Sequence, residues 1–192
     1  MSIATEKPVA RTALDGRSAL DGAVALRELP LRGKLTLRGD RADAAFARAV
    51  QAVSASELPI AVGETAVAGG ISLTCLGPDE WMLCCPLEET DALHGRLLSS
   101  ASDSHMAVVD VSDYYTELEL SGGHTRDVLA KLTPLDVSAT ALVAGTVVAT
   151  RMAKTSTVLH MATDDSAVIQ VRWSHAEYLW DYLIEAAREY NR

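Results

Sequence analysis

A chain of 192 residues, 48% hydrophobic and 22% charged, suits one domain and hides roughly 70% of its unfolded surface on folding. With 26 acidic residues against 17 basic, the net charge of −9 excludes the clustered Lys and Arg of a nucleic-acid or anionic-membrane footprint. The longest apolar runs, such as 141–149, fall far short of the about 20 residues of a membrane span, and the N-terminus lacks the apolar segment of a secretion signal. A soluble chain is therefore expected. Cys75, Cys84 and Cys85 form neither an even disulfide framework nor a metal-binding spacing, so a reducing cytoplasm is the expected compartment.

Residues 1–23 are rich in small polar and charged residues and carry two Leu-Asp-Gly steps, which predicts a flexible arm that orders on a partner. The remainder, 24–192, reads as one domain. VALREL from Val24 is a first strand. KLTLRGDRADAAFARAV from Lys34 then alternates, with Leu35 and Leu37 on a buried face, before a glycine and a helix. Further on, LTCL and WMLCC flank Gly77-Pro78-Asp79-Glu80. That pattern is a hairpin, because Pro78 presets φ for the second turn position and Asp79 can bond nearby backbone. Cys84 and Cys85, consecutive on a strand, point to opposite faces and cannot share a site. They read as packing residues.

The second part of the chain repeats this order. MAVVDV from Met106 matches VALREL at a spacing of 82, and TELELSGGHTRDVLAKL from Thr116 matches the segment from Lys34, with Gly39 and Gly122 83 positions apart. GPDEWMLCCPLEETDALHGRLL and ATDDSAVIQVRWSHAEYLWDYL also match, setting Leu93 against Tyr178 at 85. Each half, about 24–105 and 106–190, is thus two strands, a helix, about three strands and a second helix. VVATRMA, TSTVLHM and SAVIQVRW supply the late strands. The last helix is expected to open at Ser174, with Glu177 at capping-box spacing and Ala176, Leu179, Trp180, Leu183 and Ala187 facing inward. A lone half would expose that face and a sheet edge. The fold class is α+β, two β2-α-β3-α units packed into one body.

Chemistry-bearing motifs are sparse. The five histidines are never three to five apart, and the glycine pairs at Gly69 and Gly122 match no phosphate loop, so neither a metal nor a flavin is expected on this chain. The densest polar cluster joins the halves at Asp110-Val-Ser-Asp-Tyr-Tyr. Asp110, Ser112 and Tyr114 are candidates for a polar binding element there, weighed against an Asx-type turn with tyrosines covering the core edge. Tyr114, Tyr115 and Trp173 are candidate interface anchors, while core packing is expected for at least two of Trp81, Trp173 and Trp180.

LRGD at Leu37, LGPDEWML at Leu76, VVDVSDYYTELELSG at Val108, LTPLDV at Leu132 and the closing WSHAEYLWDYL together resemble the gamma subunits of heterotetrameric sarcosine oxidases, over nearly all of 26–189. The resemblance implies a bacterial complex of alpha, beta, gamma and delta subunits. That complex oxidises the N-methyl group of sarcosine, passes the one-carbon unit to tetrahydrofolate and forms hydrogen peroxide. FAD, FMN and NAD are implied in alpha and beta, zinc in delta, and no cofactor or catalytic residue in gamma. A more distant similarity is to the folate-binding domain of the glycine-cleavage aminomethyltransferase, also a duplicated α+β fold. There Val109-Asp110-Val111-Ser112 and the strand to Gly122 resemble its Phe-Asp-Leu-Ser segment. The catalytic carboxylate of that family follows a Gly-Gly hairpin, and the matching stretch here, 152–161, has neither the glycines nor an acid. The reading is a non-catalytic assembly subunit. Its rivals are a folate-binding aminomethyltransferase-like protein and a gamma subunit of a related N-methyl amine oxidase.

Overall fold

A computed structural model of the chain describes residues 10–100 and 105–192. In chain order the first half runs β1 (Ala25–Glu28), β2 (Arg32–Arg38), α1 (Ala44–Ser54), β3 (Thr65–Ala68), β4 (Ile71–Gly77), β5 (Glu80–Pro86) and α2 (Thr90–Ser100). The second repeats it with β6 (Ala107–Asp110), β7 (Tyr115–Ser121), α3 (Thr125–Leu132), β8 (Val147–Met152), β9 (Thr155–Thr163), β10 (Ser166–Arg172) and α4 (Ala176–Ala187). The expected duplicated α+β order is present. One register differs: α2 begins at Thr90 and α4 at Ala176, 86 apart, so Leu93 corresponds to Leu179, both buried, and not to Tyr178.

Local chemistry explains the elements. In α1, Phe46, Ala49, Val50 and Val53 recur at helical spacing and are buried, and the Asp43 carboxylate accepts from the Ala45 N–H at 2.8 Å. The capping box expected at Ser174 is absent, because a single 3-10 turn, Trp173–His175, leads into α4 and no side chain caps the helix. Its inward face is as expected, with Ala186 added. The β4–β5 hairpin turns on Pro78-Asp79, with Gly77 opposite Glu80, and Arg38 pairs with both Asp79 and Glu80. Those acids therefore serve the turn.

Two five-stranded antiparallel sheets form, one ordered β3-β4-β5-β2-β6 and the other β1-β7-β10-β9-β8. The halves exchange their first strands. β1 pairs with β7 of the second half, Glu28 opposite Leu118, and β6 pairs with β2 of the first, Leu35 opposite Asp110. The exchange is symmetric down to the joins: the Leu29 N–H donates to the Glu117 carbonyl at 2.8 Å, and the Val111 N–H to the Lys34 carbonyl at 2.9 Å. Neither half completes a sheet without the other.

Each sheet packs its helix pair on one face. Leu35, Leu37, Leu73, Trp81 and Leu83 meet α1 and α2 in one core; Leu118, Leu120, Leu159, Ile169 and Val171 meet α3 and α4 in the other. The sheets turn their remaining faces toward each other, giving helix, sheet, sheet, helix. Trp81 is fully buried, its indole donating to the Pro59 carbonyl at 2.8 Å, and Trp180 is buried at the second core, whereas Trp173 is 38% exposed. Two tryptophans are thus core and one is surface.

Residues 10–23, expected as part of the flexible arm, lie against the second core; residues 1–9 fall outside the described residues. Leu14 is buried, its N–H donating to the Glu28 carboxylate, and Arg17 pairs with Asp181 at 2.7 Å. Asn191 clamps Val24 through both backbone groups at 2.8 Å each. Leu14 is thus the one buried residue of a mostly exposed segment, 10–23, whose composition is that of a loop.

Candidate functional site

The join between β6 and β7 carries the sequence candidates Asp110, Ser112, Tyr114 and Tyr115. Asp110 ends an edge strand and accepts two bonds through Oδ1, from the Ser112 N–H at 2.9 Å and the Ser112 hydroxyl at 2.6 Å. The Ser112 hydroxyl in turn accepts from the Lys34 N–H at 3.0 Å. This is an Asx-type turn that locks the crossover between the sheets. Ser112 is buried, and its hydroxyl is engaged by both partners.

Just beyond, the chain assembles an aromatic surface. β7 and β10 pair with Tyr115 opposite Arg172, and the Trp173 N–H donates to the Tyr114 carbonyl at 2.9 Å, which brings Tyr114, Tyr115 and Trp173 together. The two tyrosine rings meet edge to face at 4.6 Å, and the Arg172 guanidinium lies 5.1 Å from the Tyr114 ring centre. Burial, and then the neighbouring Tyr114, push the Tyr115 phenol above its ordinary value. Tyr114 is 41% exposed, and with Leu31, Trp173 and Ala10 it borders an open hollow of about 450 Å³. Apolar area, an aromatic pair and one Arg are the composition of a protein-interface core.

Sequence reasoning missed a buried charge pair. Lys34 and Glu117 are 1% and 4% exposed, with the ammonium 3.9 Å from Glu117 Oε2, between the two sheets. Glu117 Oε1 accepts from the Gln170 amide at 2.8 Å. The signal was present in the repeat: Lys34 and Glu117 occupy equivalent positions, 83 apart, on the strand faces opposite Leu35 and Leu118. A duplicated unit closing about a pseudo-twofold axis brings equivalent residues face to face. Beside them, burial chiefly, with Glu117 adding, pushes the Cys84 thiol up to about 11. Burial raises Cys75 and Cys85 also, so all three free cysteines are packing residues. Among the described residues no group of three or more His, Cys, Asp or Glu could hold a metal, and no helix is long and apolar enough to cross a membrane.

Residues 38–189 match the model of the sarcosine oxidase, gamma subunit family. The chain belongs to that family. It is 32% identical over 166 residues to the sarcosine oxidase subunit gamma of an Arthrobacter species, covering 86% of this chain and 80% of the relative. To the subunit gamma of Corynebacterium strain U-96 it is 33% identical over 169 residues, with the same shares covered. Among solved structures it is similar to a chain of the heterotetrameric sarcosine oxidase of Corynebacterium U-96 in complex with pyrrole 2-carboxylate. The TM-score is 0.82 at 28% identity, over 91% of this chain and 89% of that one. The glycine-cleavage aminomethyltransferase T of Bartonella henselae shares the fold: TM-score 0.64 at 16% identity, over 87% of this chain and 47% of that one. Both sequence resemblances are thus matched by structural likeness, and the second concerns fold alone.

Proposed function

We propose that this chain is the non-catalytic assembly subunit of a heterotetrameric sarcosine oxidase, built with alpha, beta and delta subunits and docked through the Tyr114–Trp173 surface. The complex demethylates sarcosine to glycine, with tetrahydrofolate taking the one-carbon unit and oxygen reduced to hydrogen peroxide. FAD, FMN, NAD, tetrahydrofolate and zinc belong to the other subunits, in a cytoplasmic assembly.

The observation that carries the docking role is the exposed aromatic pair Tyr114 and Trp173, fixed by the β7–β10 pairing and a backbone hydrogen bond, beside Arg172. Two features favour assembly over chemistry. The buried Ser112 hydroxyl is engaged by both Asp110 and the Lys34 N–H, and Asp110 Oδ1 is taken by the Ser112 turn. The β8–β9 hairpin turns on Ala153 and Lys154, so it offers no carboxylate to position a reacting amine.

Alanine variants of Tyr114, Tyr115 and Trp173 test the reading. Co-purification with the other subunits should drop about 30-fold for at least one variant, the effect of losing an anchor of about 2 kcal/mol, while the melting temperature of the free chain holds. Normal assembly of all three variants would remove this surface from the interface.

A further inference from the structure

The outer edge of β1 is closed by the chain itself. In an antiparallel strand the backbone groups of alternate residues face away from the partner, and along β1 those belong to Leu26 and Glu28, preceded by Val24. Both backbone groups of Val24 are held by the Asn191 side chain, and Leu26 exchanges N–H and carbonyl bonds of 2.9 Å with Leu20 in an antiparallel bridge. The Glu28 carboxylate accepts the Leu14 N–H through both oxygens. Each of the three positions has a partner.

β6 is the same strand in the other half, 82 positions on, so Met106, Val108 and Asp110 stand where Val24, Leu26 and Glu28 do. The Val111 N–H turns inward to the Lys34 carbonyl, which sets Val109 inward as well and leaves the N–H groups of Val108 and Asp110 facing out. Among the described residues neither N–H has an acceptor; the Val108 carbonyl meets only the His94 imidazole at 3.4 Å, and Asp110 keeps Oδ2 unpaired beyond its turn. Ala107, Val109 and Asp110 are exposed, Val109 by 52%. The chain thus builds one edge twice and covers it once. A row of unpaired strand groups is a template for another strand, and this one runs through the Asp110–Ser112 turn into the Tyr114–Trp173 surface. Resting on the assembly role above, we propose that β6 is extended, antiparallel, by a strand from another subunit of the complex. The carbonyl of that strand takes the Val108 N–H, its N–H groups reach the Val108 carbonyl and Asp110 Oδ2, and an apolar side chain covers Val109.

Hydrogen exchange of the native chain, free and assembled with the other subunits, tests the pairing. The Val108 and Asp110 amides exchange fast in the free chain and about tenfold or more slower in the complex, while Val109, bonded to β2, is slow in both. Val108→Pro removes an N–H that β2 does not use; it weakens co-purification about tenfold while the melting temperature of the free chain holds. Unchanged exchange at Val108 and Asp110 in an assembled complex overturns this pairing and leaves the assembly role standing; a native chain that does not assemble overturns both. Slow exchange at both amides in the free chain, as for a second copy or the chain's own terminus on the edge, overturns the pairing, as does full assembly of Val108→Pro. If that variant fails to fold, the exchange comparison on the native chain decides.

Discussion

Lys34 and Glu117 show how much one pair of side chains decides at the centre of this molecule. Removing one partner of a buried pair strands the other charge, so Lys34→Met should lose about 3 kcal/mol or more in urea unfolding. The double variant Lys34→Met, Glu117→Gln should recover most of that loss, since a neutral amide at position 117 carries no stranded charge and still has Gln170 as a neighbour. An additive double variant would mean the charges do not interact. His160 adds a pH dependence. Burial, opposed by Glu117, holds its folded value below the ordinary 6.5 or so, so the folded state binds fewer protons than the unfolded chain, and stability falls as pH drops through that ordinary value. Melting curves between pH 7.5 and 5.5, values chosen to bracket about 6.5, should show a smaller drop for His160→Gln than for the native chain. The pair itself was hidden in the sequence, because a Lys or Glu on the outer side of an alternating strand normally faces water. Only the second sheet makes that side an interior.

The elements were largely legible, and their partners were not. Leu35 with Leu37, and Leu118 with Leu120, announced half-buried strands. Constant offsets near 83 announced the duplication, and the spacing of Ala176, Leu179, Trp180 and Leu183 announced the face of α4. Alternation says nothing about which sheet a strand joins, so the exchange of β1 and β6 could not be read. Ser174 carried a cap signal that the 3-10 turn before α4 overrode, and Leu14, a lone apolar residue in a polar stretch, gave no sign of its burial. The exchange makes a direct prediction. Fragments 10–105 and 106–192, each missing a strand that its sheet needs, should be mostly unfolded alone and regain the native far-UV circular dichroism spectrum when mixed. Independent folding of either fragment would contradict the interlocked topology. Gly122 is a second element-scale test. It sits at φ +123° where an added Cβ would lie 2.1 Å from the Ala23 carbonyl, so Gly122→Ala should cost roughly 2 kcal/mol or more by disturbing the turn where β1 begins its pairing with β7.

For the whole molecule, a fold shared with aminomethyltransferase T is joined here to a sequence family named for a sarcosine oxidase subunit. Fold does not fix function, and the hairpin between β8 and β9 shows the difference at one place, where Ala153 and Lys154 stand in the turn. The aromatic candidates were readable as residue types, yet only the β7–β10 pairing placed Tyr114 and Trp173 side by side with Arg172. The account holds that this chain contributes contact area and no reacting group. The most direct test titrates native and Trp173→Ala chains into the other three subunits, recording assembled complex by gel filtration and sarcosine-dependent peroxide formation from the same samples. The account predicts that the variant shifts the titration to higher concentration while peroxide formed per assembled complex stays at the native value; full assembly with lost turnover would contradict it and place the chain's own residues at the reaction.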